Sequence, residues 1–135
     1  MKIGILAVQG AFEEHKKMLS HWSVDCLELR NRADVFRGLD GLILPGGEST
    51  VQGKLLRELN MKQPLLDMIK EGLPVLGTCA GLILLAERLS NDPASYFSTV
   101  SYTHLHNIRK KVCQSRDFVT RGIGRQNFVC LTTLH

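Results

Sequence analysis

Apolar residues along the chain come in short blocks, and the blocks alternate between two periods. Residues 2–8 are nearly all apolar, as in a strand buried on both faces of a parallel sheet. Gln9-Gly10 ends that block. From Ala11 to Trp22, Phe12, His15, Leu19 and Trp22 recur at helical spacing, with Glu13, Glu14, Lys16 and Lys17 between them, which predicts an amphipathic helix. A ligand or base role is one reading of His15; since nothing nearby in sequence completes a site, the expectation is that it borders the packed face. Residues 24–29 alternate with period two and predict a second strand; residues 31–37 are a connection with one helical turn. Residues 39–44 predict a third strand, which runs into Pro45-Gly46-Gly47-Glu48-Ser49-Thr50. Ser49 and Gln52 have capping-box spacing ahead of a helix carrying Val51, Leu55, Leu56 and Leu59 on one face. Pro64 suits the first turn of a further helix with Leu65, Met68 and Ile69 inward, and Gly72 suits its C-terminal end. A fourth strand covers residues 74–78, and residues 82–88 again read as helix.

The alternation β-α-β-α-β-α-β-α with short links implies an α/β fold: a doubly wound parallel sheet, flavodoxin-like, with right-handed crossovers. Ligands of such sheets bind beyond the carboxyl ends of the strands. Three stretches of unusual composition fall there: Gln9-Gly10, Pro45 to Thr50, and Gly77-Thr78-Cys79-Ala80-Gly81.

The last of these has the form of a nucleophile elbow, with Cys79 at the turn between strand and helix. Glycines at 77 and 81 suit a turn in which the backbone folds back close to itself. A helix N-terminus favours the thiolate, the reactive form of cysteine. An acyl-transfer cysteine also needs N–H donors aimed at the oxyanion of a tetrahedral intermediate. The N–H of Ala80 is one candidate, and a glycine N–H from Gly46-Gly47 is the natural second. The plain alternatives are a small core cysteine in a glycine-rich turn and a simple strand-to-helix turn at Pro45.

Composition narrows the partners. The 135 residues carry a net charge of +4, which at first points to nucleic acid. Beyond Ala94, however, the chain has Lys/Arg at 109, 110, 111, 116, 121 and 125 against one acid, Asp117. The basic excess therefore belongs to the last third, and neither a nucleic-acid nor a membrane partner is expected. No apolar run is long enough to span a bilayer. The chain opens directly on a strand pattern without a signal peptide, so a cytoplasmic location is the expectation. Cysteines 26, 79, 113 and 130 show no CxxC pair and no metal-ligand spacing; they read as free thiols, with no metal and no cofactor.

Residues 7–15 (Ala7-Val8-Gln9-Gly10-Ala11-Phe12-Glu13-Glu14-His15), 41–50 ending in Pro45-Gly46-Gly47-Glu48-Ser49-Thr50, and 77–86 opening with Gly77-Thr78-Cys79-Ala80-Gly81 resemble the glutaminase subunits of pyridoxal 5′-phosphate synthase. That family lies within the class I, triad-type glutamine amidotransferases. The resemblance covers residues 1 to about 93. It implies that Cys79 forms a glutamyl thioester with L-glutamine, and that Gly46, Gly47 and Glu48 line the glutamine site. It also implies that ammonia passes to a (β/α)8 barrel synthase subunit building the vitamin B6 cofactor ring. An alternative is a DJ-1-like cysteine-elbow protein with a redox or hydrolase role. Gln9-Gly10-Ala11 and Glu48-Ser49-Thr50 favour the glutaminase.

The family completes its triad with a His-Pro-Glu motif, which this sequence lacks. His21, His104, His106 and His135 have no Pro-Glu context, so the general base has no assignment and the chain as written is expected to be inactive. Residues 100–105 resemble the translation of sequencing-adapter DNA. Gly124-Arg125-Gln126 resembles only part of a family segment. Residues 1–93 are therefore expected to form the glutaminase part, and 94–135 an aberrant basic tail outside the native fold.

Overall fold

A computed structural model describes residues 1–85 and 129–132. Five strands form one sheet: β1 (Lys2–Leu6), β2 (Asp25–Leu29), β3 (Gly41–Leu44), β4 (Val75–Thr78) and β5 (Val129–Thr132). Their order is β2-β1-β3-β4-β5, and every neighbouring pair is parallel. This is the doubly wound, flavodoxin-like arrangement expected from the alternation of periods. Its switch point, where the chain reverses its direction of travel across the sheet, lies between β1 and β3.

Side chains of a strand alternate between faces, and the core follows that rule. Leu6, Leu29, Leu42, Leu44 and Val75 join one buried cluster with residues of the helices α2 (Arg32–Val35), α3 (Ser49–Glu58), α4 (Lys62–Lys70) and α5 (Ala80–Leu85). Ile5 and Ile43, one position out of phase, are buried on the opposite face. β3 is buried along its whole length, which accounts for its unbroken run of Gly-Leu-Ile-Leu.

Several local expectations shift by a residue or change partner. α1 spans Phe12–Leu19 and contains no fully buried residue; Trp22, beyond its end, is 69% exposed. α1 is held instead by polar and cation–π contacts to β2 and its flank: Lys16 pairs with Glu28, and the Arg30 guanidinium lies 5.1 Å from the Phe12 ring centre. The single turn α2 has a capping box of its own, Asn31 with Asp34. At α3 the expected box of Ser49 and Gln52 is not what forms. Glu48 is the N-cap, its Oε1 accepting from the Thr50 N–H and hydroxyl, which leaves Gln52 free to turn inward. Val51 accordingly lies at the surface, while Gln52, Gly53 and Leu56 face the interior. α4 buries Leu65 and Ile69, and Gly72, at φ +108°, follows its last turn as expected.

Residues 129–132 form β5, which pairs with β4 in register, Val75 with Val129 through Thr78 with Thr132. Ladder pairing is made by the main chain, so its demands on sequence are loose; Val-Cys-Leu-Thr meets them. The end of the helix expected over 82–88, the histidines at 104, 106 and 135, and the Gly124-Arg125-Gln126 segment lie outside the described residues.

Candidate active site at the strand ends

Three chain segments meet at the carboxyl ends of β1, β3 and β4. The first two flank the switch point. Gly10, at φ +100°, comes so close to Gly46 that an added Cβ would sit 2.1 Å from the Gly46 carbonyl oxygen. The same oxygen accepts the Ala11 N–H at 2.9 Å. Gln9 then reaches across, its Oε1 accepting the Glu48 N–H at 3.0 Å. From below, the fully buried Gln52 donates through Nε2 to the carbonyls of Gln9 (3.0 Å) and Pro45 (3.2 Å). One side-chain amide thus ties both loops together. Among the described residues its Oε1 is the one buried side-chain oxygen without a partner.

The third segment is the elbow. Cys79 has φ +46°, a left-handed conformation that costs a non-glycine residue about 1–3 kcal/mol and persists only where its surroundings enforce it. The enforcement is visible. A Cβ at Gly81 would lie 1.9 Å from the Leu44 carbonyl oxygen, and one at Gly77 would lie 3.1 Å from the carbonyl of Gly81. The two glycines let α5 start directly against β3 and fold back on β4. The Cys79 carbonyl accepts the N–H groups of Leu82 (3.0 Å) and Ile83 (3.2 Å), opening α5. Cys79 itself is exposed and unbonded to another cysteine, so the reading as core filler fails. That reading does suit Cys26 better: it is half-buried in β2, and burial pushes its thiol pKa up.

The loops and the elbow face one another. The Cβ position of Gly46 is 3.5 Å from the Cys79 Cβ. Among the described residues, the N–H groups of Gly46 and Gly47 donate to no other backbone or side-chain group, and the Ala80 N–H is the first of α5. The glycine loop and the elbow that carries Cys79 are therefore neighbours at the strand ends. Glu48 contributes differently from Gly46 and Gly47. Its backbone N–H is taken by Gln9 and its carboxylate caps α3, so its side chain here shapes the loop.

Gly47 is held by packing as well as by any substrate. At φ +155°, its added Cβ would stand 2.6 Å from Gln9 Oε1, 2.9 Å from Gly10 Cα and 3.0 Å from Gln52 Nε2. Gly47→Ala is therefore expected to loosen the tie between the loops and lower stability by about 1–3 kcal/mol, read as a shift in the urea midpoint. An unchanged midpoint would mean that the loop gives way at no cost.

Two residues reach this site from outside the three motifs. Gln52 carried a signal, a polar residue four positions before Leu56 on the apolar face of its helix, but capping-box spacing obscured it. His15, expected at the edge of a packed face, has its Nε2 3.2 Å from Oγ1 of Thr78, the residue before Cys79. Among the described residues, no group of three or more His, Cys, Asp and Glu side chains could hold a metal ion. No helix among them is long and apolar enough to cross a membrane. A groove of about 820 Å³, lined by Arg32, Phe36, Asn60 and Lys62 among others, contains none of the residues of the site.

Comparison with known proteins agrees with this arrangement. Residues 5–122 match the SNO glutamine amidotransferase family, beyond residue 93, the limit of the resemblance read from the motifs. The pyridoxal 5′-phosphate synthase subunit PdxT of Desulfitobacterium hafniense (strain Y51) is 65% identical over 100 residues, which cover 74% of this chain and 50% of that protein. PdxT of Streptococcus pneumoniae serotype 19F (strain G54) is 55% identical over 132 residues, covering 93% of this chain and 67% of that one. A crystal structure of a glutamine amidotransferase superposes with a TM-score of 0.67 at 40% identity, over 73% of this chain and 52% of that one. The chain thus spans about half the length of the Desulfitobacterium relative. These matches favour the glutaminase resemblance over the DJ-1-like one, and the chain belongs to the SNO glutamine amidotransferase family.

Proposed function

We propose that residues 1–85 carry the nucleophile half of a glutaminase site, and that the protein of which this site is part releases ammonia from L-glutamine for a pyridoxal 5′-phosphate synthase. The observation that carries the reading is that a Cβ added at Gly46 would lie 3.5 Å from the Cys79 Cβ, which sets the Gly46-Gly47 loop, its N–H groups without a partner among the described residues, beside an exposed thiol. In this reaction the Cys79 sulfur adds to the side-chain amide carbon of glutamine. The carbonyl oxygen takes the negative charge and is met by the N–H of Ala80 and a glycine N–H of Gly46-Gly47. The C–N bond then breaks, ammonia leaves with a proton, and the glutamyl thioester remains for water to cleave. In this reading Glu48 lines the glutamine site with Gly46 and Gly47, while its carboxylate caps α3. Ammonia is passed to a barrel-shaped synthase subunit, and the cytoplasm is the compartment in which free thiols such as Cys26 and Cys79 persist. No cofactor enters the glutaminase step. Residues from 94 onward do not supply the family's His-Pro-Glu, so the acid–base half of the reaction lies with residues this sequence does not contain.

Protection of Cys79 tests the reading without requiring turnover. Iodoacetamide should alkylate Cys79 at least about five-fold more slowly in saturating L-glutamine, with D-glutamine giving no protection; a fall of that size follows from occupancy of the site. Equal rates with and without L-glutamine would remove the glutamine site and return the DJ-1-like alternative.

A further inference from the structure

We propose that His15 is a positioning residue for the nucleophile, acting through the hydroxyl of Thr78. The proposal rests on reading Cys79 as that nucleophile. Among the described residues Thr78 is one of two buried polar ones, at 4% exposure, and a buried hydroxyl is costly unless it is hydrogen-bonded. Its Oγ1 is met by His15 Nε2 at 3.2 Å, across 63 positions of sequence. Thr78 is the last residue of β4 and Cys79 follows it at φ +46°. Any freedom in the Thr78 peptide is freedom for Cys79 to relax out of the left-handed region. The elbow has backbone anchors on its α5 side, in the Leu82 and Ile83 N–H groups. On its β4 side the side-chain anchor is His15.

The anchor is itself held. α1 buries no residue fully, so its position is set by contacts at its surface. Phe12, three residues before His15, lies against Arg30, and Lys16, the next residue, pairs with Glu28. These contacts tie α1 to β2 and its flank, while His15 ties it to the end of β4. Burial lowers the His15 pKa, with the Glu14 carboxylate opposing, a shift in favour of the neutral ring. A neutral imidazole can either donate to the Thr78 hydroxyl or accept from it. A chemically reactive group is thereby placed next to the nucleophile's own peptide, in a role that needs its shape and hydrogen bond and no proton transfer.

The test reads Cys79 alkylation by iodoacetamide in the 135-residue chain, followed by peptide mapping, with Cys26 as internal reference. His15→Leu should slow Cys79 alkylation by roughly five-fold, the order expected from one lost hydrogen bond, and leave Cys26 within about two-fold. His15→Gln, whose amide nitrogen can reach the same oxygen, should return Cys79 to within about two-fold of the parent. Thr78→Val should match His15→Leu, Thr78→Ser should match the parent, and the double variant should lose no more than either single one. An unchanged rate in His15→Leu, failure of His15→Gln to rescue, or additive losses in the double variant would each overturn the proposal. If His15→Leu exposes Cys26 and so fails to fold, the comparison of Thr78→Val with Thr78→Ser decides in its place. Absence of L-glutamine protection, with the His15–Thr78 coupling intact, would sink the glutaminase reading and leave this one standing.

Discussion

Gly81→Ala is expected to lower stability by at least about 3 kcal/mol, enough to leave much of a marginally stable chain unfolded. The added methyl would stand 1.9 Å from the Leu44 carbonyl oxygen, 2.5 Å from its carbon and 2.8 Å from its Cβ. Those atoms belong to the backbone and first side-chain carbon of β3, which is buried along its length and bonded on both sides, to β1 and β4. No flexible side-chain end is available to swing aside. Relief requires α5 to lift from the sheet, which would uncover Leu84 and Leu85, both fully buried. Gly38→Ala is the control. Its Cβ would meet nothing within 4 Å, so only the left-handed backbone at φ +74° resists, and about 1 kcal/mol should be lost. Urea unfolding followed by circular dichroism compares the two. Equal midpoints would show that α5 packs more loosely than the structure places it, and the close approach at the elbow would go with it.

Much of this was legible in the sequence because glycine and periodicity report backbone geometry directly. The two periods gave the strand and helix order, and the glycines at 77 and 81 gave the close approach behind Cys79. The convergence of Gln9-Gly10, Pro45 to Glu48 and Cys79 followed from the rule for parallel sheets, and the order β2-β1-β3-β4-β5 puts the first two on either side of the switch point. What escaped was side-chain reach. Gln52 looks like a capping residue by spacing, yet its amide has two loop carbonyls to satisfy and Glu48 is one position better placed to cap. His15 looks like the rim of an amphipathic face, and nothing in a linear pattern reports a partner 63 residues away. β5 escaped for the opposite reason. Main-chain pairing leaves little trace in side-chain pattern, so a four-residue segment in a basic stretch gave no warning of it.

The second large effect concerns the reaction itself. The 135-residue chain, supplied with a synthase subunit, is expected to release ammonia from L-glutamine about 10²–10⁴-fold more slowly than an intact glutaminase, the range contributed by a positioned acid–base group. Two proton movements are needed after Cys79 has attacked: the leaving nitrogen must gain a proton, and the water that cleaves the thioester must lose one. Of the described histidines, His21 is exposed just past the end of α1. His15 has its Nε2 on the Thr78 hydroxyl, and burial lowers its pKa. The sequence holds no His-Pro-Glu to take over. Binding and chemistry should consequently separate in this chain, with L-glutamine shielding Cys79 from iodoacetamide while little ammonia appears. Replacing everything after residue 85 by the part of the Desulfitobacterium relative that follows the counterpart of that residue should restore at least about 10² of the missing rate, and Cys79→Ala should abolish what is restored. Turnover by the 135-residue chain at the level of an intact glutaminase, lost on Cys79→Ala, would refute the expectation and locate a base among His104, His106 and His135.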